Sequence, residues 1–120
     1  MSKLTKTYEL YDVVKVPFPF TDASTVKTRP ALVISSARHF NARIGWSVMT
    51  MITSVKKWQD PWPADVVIED LKHAGLPVPS LVRFKIFTLD HRFILERLGS
   101  LSETDRPHIQ KKLKELLLLD

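Results

Sequence analysis

The chain has 120 residues, 44% hydrophobic and 26% charged, with a formal net charge of +5. That length and composition suit one domain, residues 1–120, with a core of its own, and not a disordered chain. The absence of cysteine excludes a disulfide framework, a cysteine nucleophile and a cysteine-based zinc site, and fits a cytoplasmic protein. No apolar run approaches the ~20 residues of a membrane helix, and Met1 to Leu10 lacks the apolar core of a signal peptide.

Met1 to Leu10 reads as a loose arm leading into the first strand. Val13 to Phe18 is rich in β-branched and aromatic residues and predicts that strand, ended by Pro17 and Pro19. Thr21 to Thr28 is a loop of turn formers and small polar residues. Ala31 to Ser35, a short apolar run, predicts a second strand buried on both faces. Arg29-Pro30 opens it: Pro30 fixes its own φ and holds Arg29 extended. A guanidinium is thereby placed where rigid core meets water, a position suited to a charged ligand, although a strand-edge arginine also serves solubility alone.

Ser36 to Gly45 is a polar, basic connection. Trp46 to Thr53 is dense in β-formers and carries apolar groups on both faces, so it predicts a central third strand. Thr53-Ser54 closes it with a hydroxyl pair of the kind that satisfies local backbone. Val55 to Ala64 is a loop in which Trp58 and Trp62 could stack on unpaired bases while Lys56 and Lys57 touch phosphate; exposed aromatics also anchor protein partners. Asp65 to Glu69 reads as a short fourth strand and Asp70 to Ser80 as a turn-rich segment. Leu81 to Leu89 predicts an amphipathic strand, with Val82, Phe84 and Ile86 inward and Arg83 and Lys85 on the other face. Asp90 is read as a turn cap or as a partner of Arg92. Phe93 to Leu98 predicts a sixth strand. A helix follows from Ser102 or Thr104, with Pro107 in its first turn. Ile109, Leu113, Leu116 and Leu117 recur at helical spacing toward the core, and Lys111, Lys112 and Lys114 form the wet face.

From Val13 to Lys57 the basic residues are Lys15, Lys27, Arg29, Arg38, Arg43, Lys56 and Lys57, against Asp22 alone. Such a skew suits a polyanion binder, and charge by itself does not separate RNA from an acidic protein. His39, His73, His91 and His108 show no metal-binding spacing, and no glycine-rich phosphate loop is present; the reading needs no metal and no cofactor. The order of elements gives a mainly β domain, about six strands in a bent, barrel-like sheet closed by a C-terminal α-helix.

Asp12-Val13-Val14, Pro17-Phe18-Pro19-Phe20-Thr21-Asp22 and Arg29-Pro30-Ala31-Leu32-Val33 resemble the N-terminal pattern of the MazF/PemK toxins of bacterial toxin–antitoxin systems. Met51-Ile52-Thr53-Ser54, Gly75-Leu76, Pro79-Ser80-Leu81-Val82, Thr88-Leu89-Asp90 and the ending L-S-E-x-D extend the likeness over nearly the whole chain. Two departures stand out. Tyr11 replaces the family's usual glycine, where unusual backbone geometry is permitted, and Ile86-Phe87 stands where some members carry I-R. The resemblance implies an SH3-like barrel of the MazF/CcdB type, a homodimer, and a cognate antitoxin as partner. It also implies a metal-independent endoribonuclease cutting single-stranded RNA, with Arg29 and Thr53 as its catalytic pair. Lys27, Thr28, Ser54, Lys56, Lys57 and Trp58 are then candidates for RNA contact. A CcdB-like toxin of the same fold that binds DNA gyrase and cuts nothing is the alternative, as is a partner-binding module without catalysis.

Overall fold

The computed structural model describes residues 7–18, 27–55 and 62–118. Six strands form one antiparallel sheet in the order β4-β5-β3-β2-β1-β6: β1 Asp12–Phe18, β2 Lys27–Val33, β3 Trp46–Ser54, β4 Val66–Val67, β5 Ser80–Asp90 and β6 Glu96–Ser100. The sheet curls into a half-barrel, and a C-terminal helix, α3 Arg106–Leu117, closes one side. The expected mainly β architecture with a closing helix is therefore what the chain adopts. β3 is central, as its two apolar faces predict.

Both faces of the sheet are covered, which explains the near-continuous apolar runs of β1 and β2. On one side Val13, Leu32, Ile52, Val82 and Phe84 pack with Ala74 and under Ile109 of α3. On the other Val14, Val16, Ala31, Val33, Met49 and Leu89 pack with Tyr8 and Ile94.

Several boundaries differ from the sequence reading. β2 begins at Lys27, so Arg29 and Pro30 lie inside the strand. β2 pairs with β3 only from Ala31 to Val33; ahead of that it pairs with β1 alone, the edge-like setting in which proline's missing N–H is tolerated. The connection after β2 is helical: a π-turn, Ala37–Asn41, runs into α1 Ala42–Ile44. The turn-rich segment contains α2 Leu71–Ala74, capped by Asp70, whose carboxylate accepts from the His73 N–H at 3.1 Å. β4 is shorter than expected and β5 longer. A 3₁₀ turn occupies His91–Phe93, because Asp90 accepts from the Arg92 N–H at 2.9 Å and starts a turn there, delaying β6 to Glu96. Asp90 also pairs with the Arg92 guanidinium, the role expected of it.

Three apolar assignments are corrected. Ile86 is 39% exposed and Leu117 62% exposed, and Leu116 is exposed as well. Helix α3 covers the sheet only as far as Ile109 and Leu113; beyond them Ile86, Val48, Ile34, Leu10, Leu117 and Leu118 surround an open apolar cavity of about 440 Å³.

Tyr11 has a left-handed backbone, φ 77°, of the kind glycine adopts without strain. Neighbours hold it there. Its N–H donates to the Val33 carbonyl at 2.8 Å and its carbonyl accepts from Leu101 N–H at 3.0 Å. The Arg106 guanidinium lies 5.2 Å from its ring, and Arg106 Nε donates to the Leu101 carbonyl at 2.8 Å.

The two edge strands are joined without a ladder. After β4, the Asp105 carboxylate at the start of α3 accepts the N–H groups of Glu69 and Asp70 at 2.8 and 3.0 Å. Then α2 lies against β6 through two glycines. A Cβ on Gly75 would stand 2.1 Å from the Leu98 carbonyl oxygen, and one on Gly99 would stand 2.5 Å from that of His73. Only glycine at both positions permits this approach.

Candidate functional site

Alternation along antiparallel strands decides which side chains meet. In β1 and β2, Val16 faces Arg29 and Phe18 faces Lys27. In β2 and β3, Ala31 faces Met51. Extending that register by two residues on each strand brings Arg29 across from Thr53. In β3 and β5, Met51 faces Arg83. One end of one sheet face thus collects Phe18, Arg29, Met51, Thr53 and Arg83, and these residues, with Ile52 and Lys85, line a cleft of about 190 Å³ open to solvent.

Lys85, two residues after Arg83, stands on the same face, and the strand is irregular beside it. The pairing passes from Thr50–Ile86 to Met51–Arg83, so Phe84 and Lys85 have no counterparts on β3. Bulges of this kind bend a strand and re-aim its side chains. The fully buried Thr50 hydroxyl donates to the Arg83 carbonyl at 2.6 Å, supplying that backbone oxygen with a donor at the bulge.

The walls of the cleft are cationic. The Arg29 guanidinium lies 5.4 Å from the Phe18 ring centroid, and both side chains line the cleft. Arg83 is held by Asp65, with Nη2 at 2.8 Å from Oδ2 and Nε at 3.2 Å from Oδ1. Lys85 Nζ stands 4.9 Å from the centre of the Trp62 ring. Among the described residues neither Arg29 nor Lys85 has a carboxylate partner. No group of three or more histidine, aspartate or glutamate side chains suited to a metal occurs among the described residues.

Arg29 is exposed and Thr53 half-buried, and the two share the cleft. Thr28 and Lys15 line a second cavity of about 380 Å³ that Arg29 also borders, with Pro30, Gly75, Leu76, Pro77 and Leu98. Lys27 is exposed at the start of β2. Ser54 lines a third cavity with Val55, Val78 and Pro79. Lys56, Lys57 and Trp58 lie outside the described residues, as does most of the expected loop from Thr21. Sequence reasoning did not assign Phe18, Arg83, Lys85 or Asp65 to the site. For Arg83 and Lys85 the signal was present, since alternation sets them opposite Val82 and Phe84.

A family model described as the PemK-like, MazF-like toxin of type II toxin-antitoxin system matches residues 9–117. The chain belongs to this family. The crystal structure of MazF (Form-I) from Deinococcus radiodurans resembles this toxin with a TM-score of 0.70 at 26% identity, over 95% of this chain and 99% of the other. A MazE-MazF structure (Form-III) from the same organism gives a TM-score of 0.72 at 24% identity, over 96% and 100%. An endoribonuclease in complex with its cognate antitoxin from a mycobacterial species shares the fold at a TM-score of 0.70 and 17% identity, over 95% and 96%. A comparison with curated proteins finds no match. No described helix of the toxin is long and apolar enough to cross a membrane.

Proposed function

We propose that this toxin is a metal-independent, sequence-specific endoribonuclease acting on single-stranded RNA, with Arg29 and Thr53 as its catalytic pair. The observation that carries the reading is their meeting in one solvent-open cationic cleft from different strands. In the reaction the ribose 2′-oxygen bonds to the neighbouring phosphorus, and the bond from phosphorus to the 5′-oxygen breaks. The 2′-proton passes to an acceptor and the leaving 5′-oxygen takes up a proton, giving 2′,3′-cyclic phosphate and 5′-hydroxyl ends. A guanidinium stays protonated at biological pH. Arg29 therefore serves by clamping the non-bridging oxygens as charge grows on the phosphorane, and by donating toward the leaving oxygen. Thr53 donates a hydrogen bond to the same phosphate. Single strands are required because reading a short sequence needs exposed base edges.

The toxin acts in the cytoplasm as a homodimer, and a cognate antitoxin covers the cleft with an acidic or amphipathic segment. The cationic cleft supports the second part of that reading, and the MazE-MazF structures that resemble this chain support the existence of such a partner.

The test is incubation of purified protein with a long RNA in EDTA, followed by sequencing of the fragment 5′-ends. The parent is expected to cut at a short recurring sequence. Arg29→Ala and Thr53→Ala, each with unchanged thermal unfolding, are expected to lose about 100- to 1000-fold in kcat, the usual effect of removing a transition-state donor. Normal cutting by both variants overturns the site. An uncut RNA overturns the nuclease and leaves a non-catalytic toxin that binds gyrase or another protein.

A further inference from the structure

Trp62 stands beside the cleft against Lys85, and its placement is specific. Its N–H donates to Asp65 Oδ2 at 3.0 Å, and its carbonyl accepts from the Asp65 N–H at 3.1 Å. The same carboxylate grips Arg83, whose side chain is 17% exposed against 8% for Asp65. The backbone of Trp62 is thus tied to a wall of the cleft through a mostly buried ion pair. Its ring is 42% exposed, with Lys85 Nζ against it at 4.9 Å. Lys85 in turn lines the cleft that holds Arg29 and Thr53.

We infer that Trp62 and Lys85 form a nucleotide subsite adjoining the scissile phosphate: the indole face takes one base and the ammonium takes that nucleotide's phosphate. The proposal rests on the reading of the toxin as a ribonuclease. A lysine on an exposed aromatic face is weakly held, so a phosphate displaces it, and the face it leaves is one on which any base can stack. Lys85, two residues after Arg83 on β5, stands on the same face and lines the cleft. Asp65 is a positioning residue, holding the platform at a fixed distance from the catalytic pair. The aromatic face with its own cation favours a nucleotide over a protein segment here, since base and phosphate are both satisfied within one step of a single strand.

The experiment uses the full chain and a fluorescein-labelled RNA of seven nucleotides spanning a mapped cut site. The nucleotide supplying the attacking hydroxyl is made 2′-deoxy, so that the strand binds and is not cut. Trp62→Ala is expected to weaken binding about tenfold, the scale of one base–aromatic stack, and Trp62→Phe to keep most of the affinity. Abasic substitutions placed at each position in turn identify the stacked base. One position is expected to cost the parent about tenfold and to cost Trp62→Ala nothing further. On cleavable RNA, Trp62→Ala and Lys85→Gln are expected to raise KM more than they lower kcat.

Equal binding by parent and Trp62→Ala overturns the subsite, as does an abasic penalty that is the same in both proteins. A Trp62→Ala variant that loses affinity for an antitoxin peptide while binding RNA normally overturns it in favour of a protein contact. A parent that cuts long RNA while Trp62→Ala behaves identically removes the subsite alone. A parent that neither cuts nor binds RNA removes the functional reading, and the subsite with it.

Discussion

Thr50→Val tests the link between the β5 bulge and the site. Valine keeps the shape of threonine and removes its hydroxyl, which donates to the Arg83 carbonyl at 2.6 Å in a fully buried setting. The replacement removes that hydrogen bond, at a cost of about 1–2 kcal/mol. Unfolding entropy near 2.1 cal/mol/K per residue gives a chain of this length roughly 4 °C per kcal/mol, so Tm is expected to fall by about 4–8 °C. The bulge that contains Lys85 then loses an internal tie. KM for RNA is expected to rise several-fold while kcat holds, because Arg29 and Thr53 sit on neighbouring strands whose pairing is untouched. Thermal unfolding by circular dichroism gives the first number and a fluorogenic RNA assay the second. A Thr50→Val protein with the parent's Tm and KM would refute the claim that this hydroxyl supports the bulge.

Gly75→Ala is expected to lose about 2–5 kcal/mol, measured by urea denaturation. Its φ of 74° penalises a side chain, and the new methyl meets the Leu98 backbone at 2.1 Å. Asp90 answers to pH. Its hydrogen bonds with the Arg92 side chain, then with the Arg92 N–H, hold its carboxyl below the ordinary 3.8. The unfolded chain then binds the proton more tightly, so the stabilisation is present above about pH 4 and is lost as pH falls through the lower folded value. The Tm difference between parent and Asp90→Asn is expected to be constant near neutrality and to shrink below pH 3.8; a difference that grows on acidification would contradict the sign. Ile86→Glu and Leu117→Glu alter exposed side chains around the open apolar cavity. They are expected to leave the fold intact and to shift sedimentation from dimer to monomer, and a parent that is itself monomeric would end that expectation.

What the sequence revealed follows the range of the interactions involved. Local pattern found β1, the central β3 and the helix with Pro107 in its first turn, because neighbours within a few residues determine each. Alternation separated Arg83 and Lys85 from Val82 and Phe84, and so identified one wall of the cleft without showing what stood opposite. The joining of Arg29 with Thr53 came from resemblance; the physical reason is a pairing register between strands, which no single segment carries. Asp65 as the holder of Arg83 and Phe18 as the neighbour of Arg29 are invisible for the same reason. Ile86 and Leu117 were misassigned because periodicity does not detect how far α3 reaches over the sheet. The 3₁₀ turn at His91–Phe93 was hidden by the β-forming character of Phe93 and Ile94, which the Asp90 cap overrides.

The clasp at Tyr11 bears on how the toxin is born. β1 pairs on one side with β2, translated almost at once, and on the other with β6, which begins at Glu96. At about 5–20 residues per second, roughly 4–16 s separate the end of β1 from that partner. The clasp itself waits longer still, for Leu101 and Arg106. A nascent chain therefore carries its first strand half-partnered until β6 has been made and can close on its free edge.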